Sequence, residues 1–197
     1  MTFASIVGHD RQKEILRRAL KSDRLAHAYL FEGPDGIGKR LMALALARAL
    51  VCQTGEGCGD CSSCRKIDHN NHPDLHLLDA EGSTIKIDQV RQIQKELSLR
   101  PLESEYKICM IDGAEFMNPA AGNALLKTLE EPQGKSLLIL LTAHPEALLD
   151  TIRSRCQRLP FQRLSQKRLA EILESRLELQ EVEAKVLAAL SEGSFKK

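Results

Sequence analysis

The sequence predicts an α/β protein built on a five-stranded parallel sheet, and three observations carry that prediction. An apolar run at 28–31 passes through the stretch Gly33-Pro34-Asp35-Gly36-Ile37-Gly38-Lys39-Arg40 into strong helix formers at 41–47. Four further short apolar segments then alternate with segments of helical period, the pattern of parallel strands joined by crossover helices. Near Ser165 the alternation stops, and only helical periodicity follows.

A chain of 197 residues can hold one full domain and a small second one, here expected at 1–162 and 163–197. Hydrophobic content of 43% and charged content of 28% describe a soluble globular protein. No apolar run approaches the ~20 residues of a membrane span, and no signal peptide opens the chain, so a cytosolic location is expected. The net charge of +1 makes no demand for nucleic acid. With aromatics at 4% and no Trp, the core has to be aliphatic.

The first helix is expected over roughly 10–21, with Ile15, Leu16, Ala19 and Leu20 on one face. Arg11, Lys13, Arg17, Arg18 and Lys21 form the other, either a solvated face or a phosphate-backbone patch. Strand, glycine-rich turn and helix then supply the context of a phosphate-binding loop. Gly33, Gly36 and Gly38 let backbone N–H groups turn toward an anion, the helix N-terminus adds positive charge, and Lys39 reaches the terminal phosphates. One position departs from the pattern. A working loop has Ser or Thr after the lysine to ligate magnesium, and here Arg40 stands there, either crowding the metal or replacing its charge.

Cys52, Cys58, Cys61 and Cys64 follow C-x5-C-x2-C-x2-C. A reducing compartment disfavours disulfides, and the two C-x2-C steps present thiolates at the spacing of a tetrahedral zinc. Four protein ligands leave no open position, so such a zinc is structural; redox pairs or a site that has lost its metal are the alternatives. His69, His72 and His76 lie nearby and are read as non-ligands, while Cys109 and Cys156 are read as ordinary buried thiols.

The second strand is expected at 75–79, a helix over 88–99 stopped before Pro101, and a third strand at 106–112 ending on Asp112. In phosphate-loop ATPases that strand end organises magnesium. Here Asp112 either keeps this role or caps the following turn, because the water-orienting Glu expected next is Gly113, with Glu115 two positions on. Asn118 and Pro119 start a helix that Pro132 stops. The very apolar 136–142 reads as a central strand, with Thr142 at its phosphate-side end. A short helical segment at 147–152 and a last strand near 157–161 close the sheet. Beyond it, Leu169, Ile172, Leu173 and Leu177 mark one amphipathic helix, and Val182, Val186, Leu187 and Leu190 another. A third begins at 191–197, so the sequence is expected to be a fragment of a longer protein.

Taken together, residues 27–34 (HAYLFEGP), the four-cysteine insert, 123–132 (NALLKTLEEP) and Ser154-Arg155-Cys156 resemble the clamp-loader branch of the AAA+ ATPases, subunits of bacterial DNA polymerase III. The resemblance runs from Ile6 to Ser194 and implies a RecA-like sheet followed by a helical lid domain. It implies a five-subunit ring, with gamma/tau ATPase and delta subunits as partners, that opens a sliding clamp and places it on primed DNA in the bacterial cytoplasm. Arg155 falls at the SRC arginine finger that serves a neighbour's ATP site. Arg40 and Gly113 remove two hydrolytic groups, so the resemblance points to a largely non-hydrolysing stator with little or no ATPase activity and no polymerase activity of its own. The alternative is a gamma/tau-type motor. ATP or ADP binding stays open on the intact glycines and Lys39, and Mg2+ is disfavoured. Lys196 stands where the family has a lid-helix arginine sensor, and the family's C-terminal collar lies beyond the sequence.

Overall fold

In the computed structural model, which describes residues 2–80 and 84–177 together with Glu183 and Leu187, five parallel strands form one sheet. They are β1 (Ala28–Glu32), β2 (Leu75–Asp79), β3 (Lys107–Asp112), β4 (Ser136–Thr142) and β5 (Gln157–Pro160), in the spatial order β2-β3-β4-β1-β5. Each lies within a residue or so of its predicted position. β4 holds the centre of the sheet with both faces covered, which is why its sequence is continuously apolar instead of alternating.

Side chains of successive strand residues point to opposite faces and divide the core in two. Tyr29, Phe31, Ile108, Met110, Ile139 and Leu141 pack with Leu16 of α1 (Asp10–Lys21) and Met42 and Leu46 of α2 (Lys39–Val51). Leu30, Cys109, Ile111, Leu138 and Leu140 pack on the other face. Their partners there are Val90 and Ile93 of α4 (Ile87–Ser98) and Leu125 and Leu129 of α5 (Pro119–Glu130). Asn118 caps α5 as predicted, its Oδ1 accepting from the Ala121 N–H at 2.8 Å.

Three local readings change. Lys13 is buried: its Nζ donates to the Ile6 carbonyl at 3.1 Å and pairs with Asp10 at 2.7 Å, whereas Arg11, Arg17, Arg18 and Lys21 are exposed. An unpredicted helix, α3 (Ser62–Asp68), follows the cysteine run. The segment expected at 147–152 is a 3₁₀ turn, Pro145–Ala147, then an extended link and α6 (Asp150–Arg153). That link lets Leu148 enter the core while Leu149 lies over Gly122 of α5, where an added Cβ would meet it at 3.2 Å.

After β5, Leu164 packs on Gly8 and the chain enters α7 (Gln166–Leu177), which buries Leu169 and Ala170 against Leu173. Val182, Val186, Leu190 and 191–197, including Lys196, lie outside the described residues. Among the described residues, no helix is long and apolar enough to cross a membrane.

Candidate functional site

β1 and β4 are neighbours, but β1 continues into α2 on one face of the sheet and β4 toward α6 on the other. Such a divergence opens a crevice at the carboxyl ends of the strands. The glycine-rich loop lies there. The Gly33 N–H donates to the Thr142 carbonyl at 3.1 Å, and a Cβ at Gly33 would stand 2.3 Å from the Phe161 carbonyl oxygen, so only glycine fits. Gly38, at φ 103°, precedes α2 without a side-chain cap, which leaves the first turn open to an anion.

Lys39 is folded back onto this loop. Its Nζ donates to the carbonyls of Gly33 at 2.5 Å and Pro34 at 2.8 Å and lies 3.8 Å from Asp35. His9, which the sequence did not single out, braces the loop from outside. Its Nε2–H donates to the Ile37 carbonyl at 2.7 Å while its ring meets Phe161 edge-on at 4.9 Å. Burial lowers the His9 pKa, consistent with a neutral ring.

Beside the loop is a pocket of about 300 Å³ whose lining includes Lys39, Arg40, Asp79, Asp112, Phe116 and Thr142. Asp79 and Asp112 are register partners at the ends of β2 and β3, and two carboxylates so placed repel unless a cation stands between them. Arg40 is that cation. Nη2 donates to Asp79 Oδ2 at 3.1 Å, and Nη1 donates to Asp112 Oδ2 at 3.0 Å and also to Asp79 Oδ1. Hydrogen bonding to Asp79, then to Asp112, raises the Arg40 pKa above its ordinary value. Asp112, at the end of β3, is held as a partner of Arg40. Arg40 occupies three of the four oxygens of this pair and position 40 offers no hydroxyl, so the donors present do not fit magnesium.

Gly113 has φ 75°, and a Cβ there would lie 2.8 Å from the Phe116 ring. The missing glutamate is therefore a matter of backbone as well as side chain. Glu115 turns its Oε1 to the Ala143 N–H at 2.9 Å, and the Thr142 hydroxyl accepts from the His144 N–H at 3.0 Å.

The four predicted cysteines converge on a second site, with all sulfurs within 4.8 Å of one another. Zn–S bonds of about 2.3 Å place tetrahedral sulfurs roughly 3.8 Å apart, so the set fits zinc with little movement; Cys58 and Cys64 are already 4.0 Å apart. Gly55, Gly57 and Gly59, all at positive φ, turn the backbone so that its N–H groups face sulfur. The N–H of Cys58 donates to Cys52 Sγ at 3.3 Å, and those of Cys61 and Cys64 donate to Cys58 and Cys61 at 3.4 Å. Burial works to raise the Cys52 pKa, but hydrogen bonds from Thr54 and Cys58 outweigh it and bring the thiol down to about 5. Burial pushes Cys64 up to about 12. A bound zinc would take all four as thiolates and tie the end of α2 to α3. Beneath the module the buried Arg48 pairs with Asp68 of α3. The nearby histidines face other partners: His72 Nδ1 accepts from the Asp74 N–H, and His76 lies 3.2 Å from Glu96.

Arg155 precedes β5 and therefore lies at the amino-terminal edge of the sheet. Its Nη2 pairs with Glu130, the last residue of α5, at 2.7 Å, and its Nη1 donates to the Thr151 carbonyl at 3.1 Å. The glycine loop is at the opposite edge, and one five-residue strand spans about 16 Å, so Arg155 does not serve the pocket of its own chain. Burial raises the thiols of Cys109 and Cys156, the latter to about 12, as suits buried thiols.

A parallel sheet with a glycine loop at its crevice and acidic residues on the neighbouring strand ends defines a phosphate-loop module of the AAA+ class. Solved structures agree on the fold: the RuvB Holliday junction branch migration motor of Thermotoga maritima superposes with TM-score 0.67 at 21% identity. The superposition covers 98% of this chain and 60% of that one. A DNA polymerase III gamma subunit-related protein from the same organism gives TM-score 0.60 at 22% identity, over 90% and 58%. The family described as "DNA polymerase III, delta subunit" matches residues 8–165, and the chain belongs to it. It is 46% identical to DNA polymerase III subunit delta' of Bacillus subtilis over 83% of this chain and 50% of that protein. To subunit tau of the same organism it is 33% identical, over 98% of this chain and 36% of tau. The chain thus spans half or less of the length of these relatives.

Proposed function

We propose that this chain is a clamp-loader subunit of DNA polymerase III that hydrolyses little or no ATP itself and lends Arg155 to the nucleotide of a neighbouring gamma/tau subunit. The observation that carries the reading is the placement of Arg155, partly exposed at the edge of the sheet opposite its own phosphate loop. A guanidinium there offers permanent charge and planar donors to phosphate oxygens. In related sites such a finger is worth roughly 10³–10⁵ in rate, or about 4–7 kcal/mol of barrier. The expected assembly is a five-membered ring with gamma/tau and delta subunits, acting on a sliding clamp and primed DNA in the bacterial cytoplasm. Residues 1–162 would form its nucleotide-binding-type domain and 163–197 its lid. Cys52, Cys58, Cys61 and Cys64 would hold a structural zinc.

The 33% identity to tau over nearly the whole chain favours a second reading, a hydrolysing motor. Arg40 and Gly113 weigh against it. The deciding experiment is single-turnover ATP hydrolysis by the reconstituted complex with wild-type chain or Arg155→Ala, beside turnover by this chain alone. A stator shows no turnover alone, and Arg155→Ala slows the adjoining site by roughly 10³ or more. Turnover by the isolated chain that Lys39→Ala abolishes, or a neighbour indifferent to Arg155→Ala, overturns the proposal.

A further inference from the structure

A phosphate loop ordinarily takes its counter-cation from solution, because a hydroxyl after the lysine and a strand-end carboxylate leave oxygens for a divalent ion. Here the second residue of α2 brings a cation on the chain itself. Three of the four carboxylate oxygens of Asp79 and Asp112 accept hydrogen bonds from the Arg40 guanidinium. A guanidinium has donors only and no lone pair for a metal. The planar fork suits the task, since two parallel N–H groups engage Asp79 while one also reaches Asp112 across the β2–β3 register.

We propose that Arg40 is the resident cation of this pocket: held by Asp79 and Asp112, it excludes a divalent metal and cross-links α2 to the ends of β2 and β3 whether or not nucleotide is present. The charge balance points the same way. Asp35, Asp79, Asp112 and Glu115 line the pocket against Lys39 and Arg40. Within that surplus of carboxylates, the residues that would draw in a divalent metal are already engaged. Asp79 thereby acquires a role as a positioning residue for Arg40. The proposal deepens the non-hydrolysing reading and rests on it.

The test uses Mn2+ as probe, read by electron paramagnetic resonance on the purified chain with and without ATP, together with calorimetric ATP titrations with and without Mg2+ in chelator-free buffer. Wild-type chain should bind no Mn2+ beyond that held by free ATP, and removing Mg2+ should change its ATP titration by less than about threefold. Arg40→Thr should gain about one Mn2+ per chain in the presence of ATP. Asp79→Asn should unfold at a lower temperature, by the same amount with and without added Mg2+. One Mn2+ bound per wild-type chain, or a folded Arg40→Thr chain that gains none, overturns the proposal. If Arg40→Thr does not fold, the wild-type measurement decides alone. Bound Mn2+ leaves the Arg155 reading untouched, and a neighbour indifferent to Arg155 leaves this one untouched, because the two readouts probe opposite edges of the sheet.

Discussion

Glu130, the last residue of α5, and Arg155, just ahead of β5, form a 2.7 Å ion pair that holds the arginine at the edge of the sheet. Both side chains are well exposed, at 50% and 36%, and pairs of that kind contribute about 0–1 kcal/mol. Arg155→Ala should therefore lower the melting temperature by no more than about 4 °C, read by circular dichroism. A large loss of complex activity beside so small a shift would belong to chemistry at the neighbour and not to unfolding.

Restoring a glutamate at position 113 should not restore hydrolysis. Gly113 occupies a left-handed conformation, and the Phe116 ring stands where the Cβ would go. Gly113→Glu is expected to destabilise the chain by about 1–3 kcal/mol in urea unfolding. Adding Phe116→Ala should recover only the part owed to the collision.

Acid should weaken the fold through Asp74. This fully buried carboxylate suffers desolvation, which works to raise its pKa. The N–H groups of Leu102, Glu103 and Ser104, at 2.7–2.9 Å, outweigh that effect and bring it down to about 2. A depressed carboxylate contributes stability that is complete above its unfolded value and is lost as pH falls toward the folded one. The window is thus about pH 4 to 2, and the shift corresponds to about 2 kcal/mol. Asp74→Asn should cost a similar amount at pH 7 and flatten the acid limb of the unfolding free energy against pH.

Metal analysis should find about one zinc per chain, removed by chelators more readily as pH falls because thiols must lose protons to bind. Cys61 both belongs to the sulfur cluster and caps α3. Cys61→Ala should then abolish zinc, remove the cap and expose the amides of α3 to hydrogen exchange, with β1 and β4 still protected.

The strands and the glycine loop were legible because their signals are local: apolar runs, turn residues and caps within a few positions. α3 was not, since its cap is a sulfur and its first turn is made of residues the metal spacing had already claimed. Lys13 read as one of five basic residues on a helix face, and only the fold brings the Ile6 carbonyl over it. Asp79 read as an ordinary strand end. Its meeting with Arg40 depends on the β2–β3 register and on which strand lies beside which, and neither is written in the neighbourhood of either residue.

At one margin of the sheet, β5 is a four-residue strand whose Gln157, Arg158 and Pro160 are exposed. Pro160 has no N–H to offer, and Arg158 is committed to Glu32 of β1 at 2.9 Å. A strand this short, charged and proline-ended is a poor template for a sixth. That margin resists runaway edge-to-edge polymerisation, and a protein meeting it has to dock through side chains instead of extending the backbone ladder.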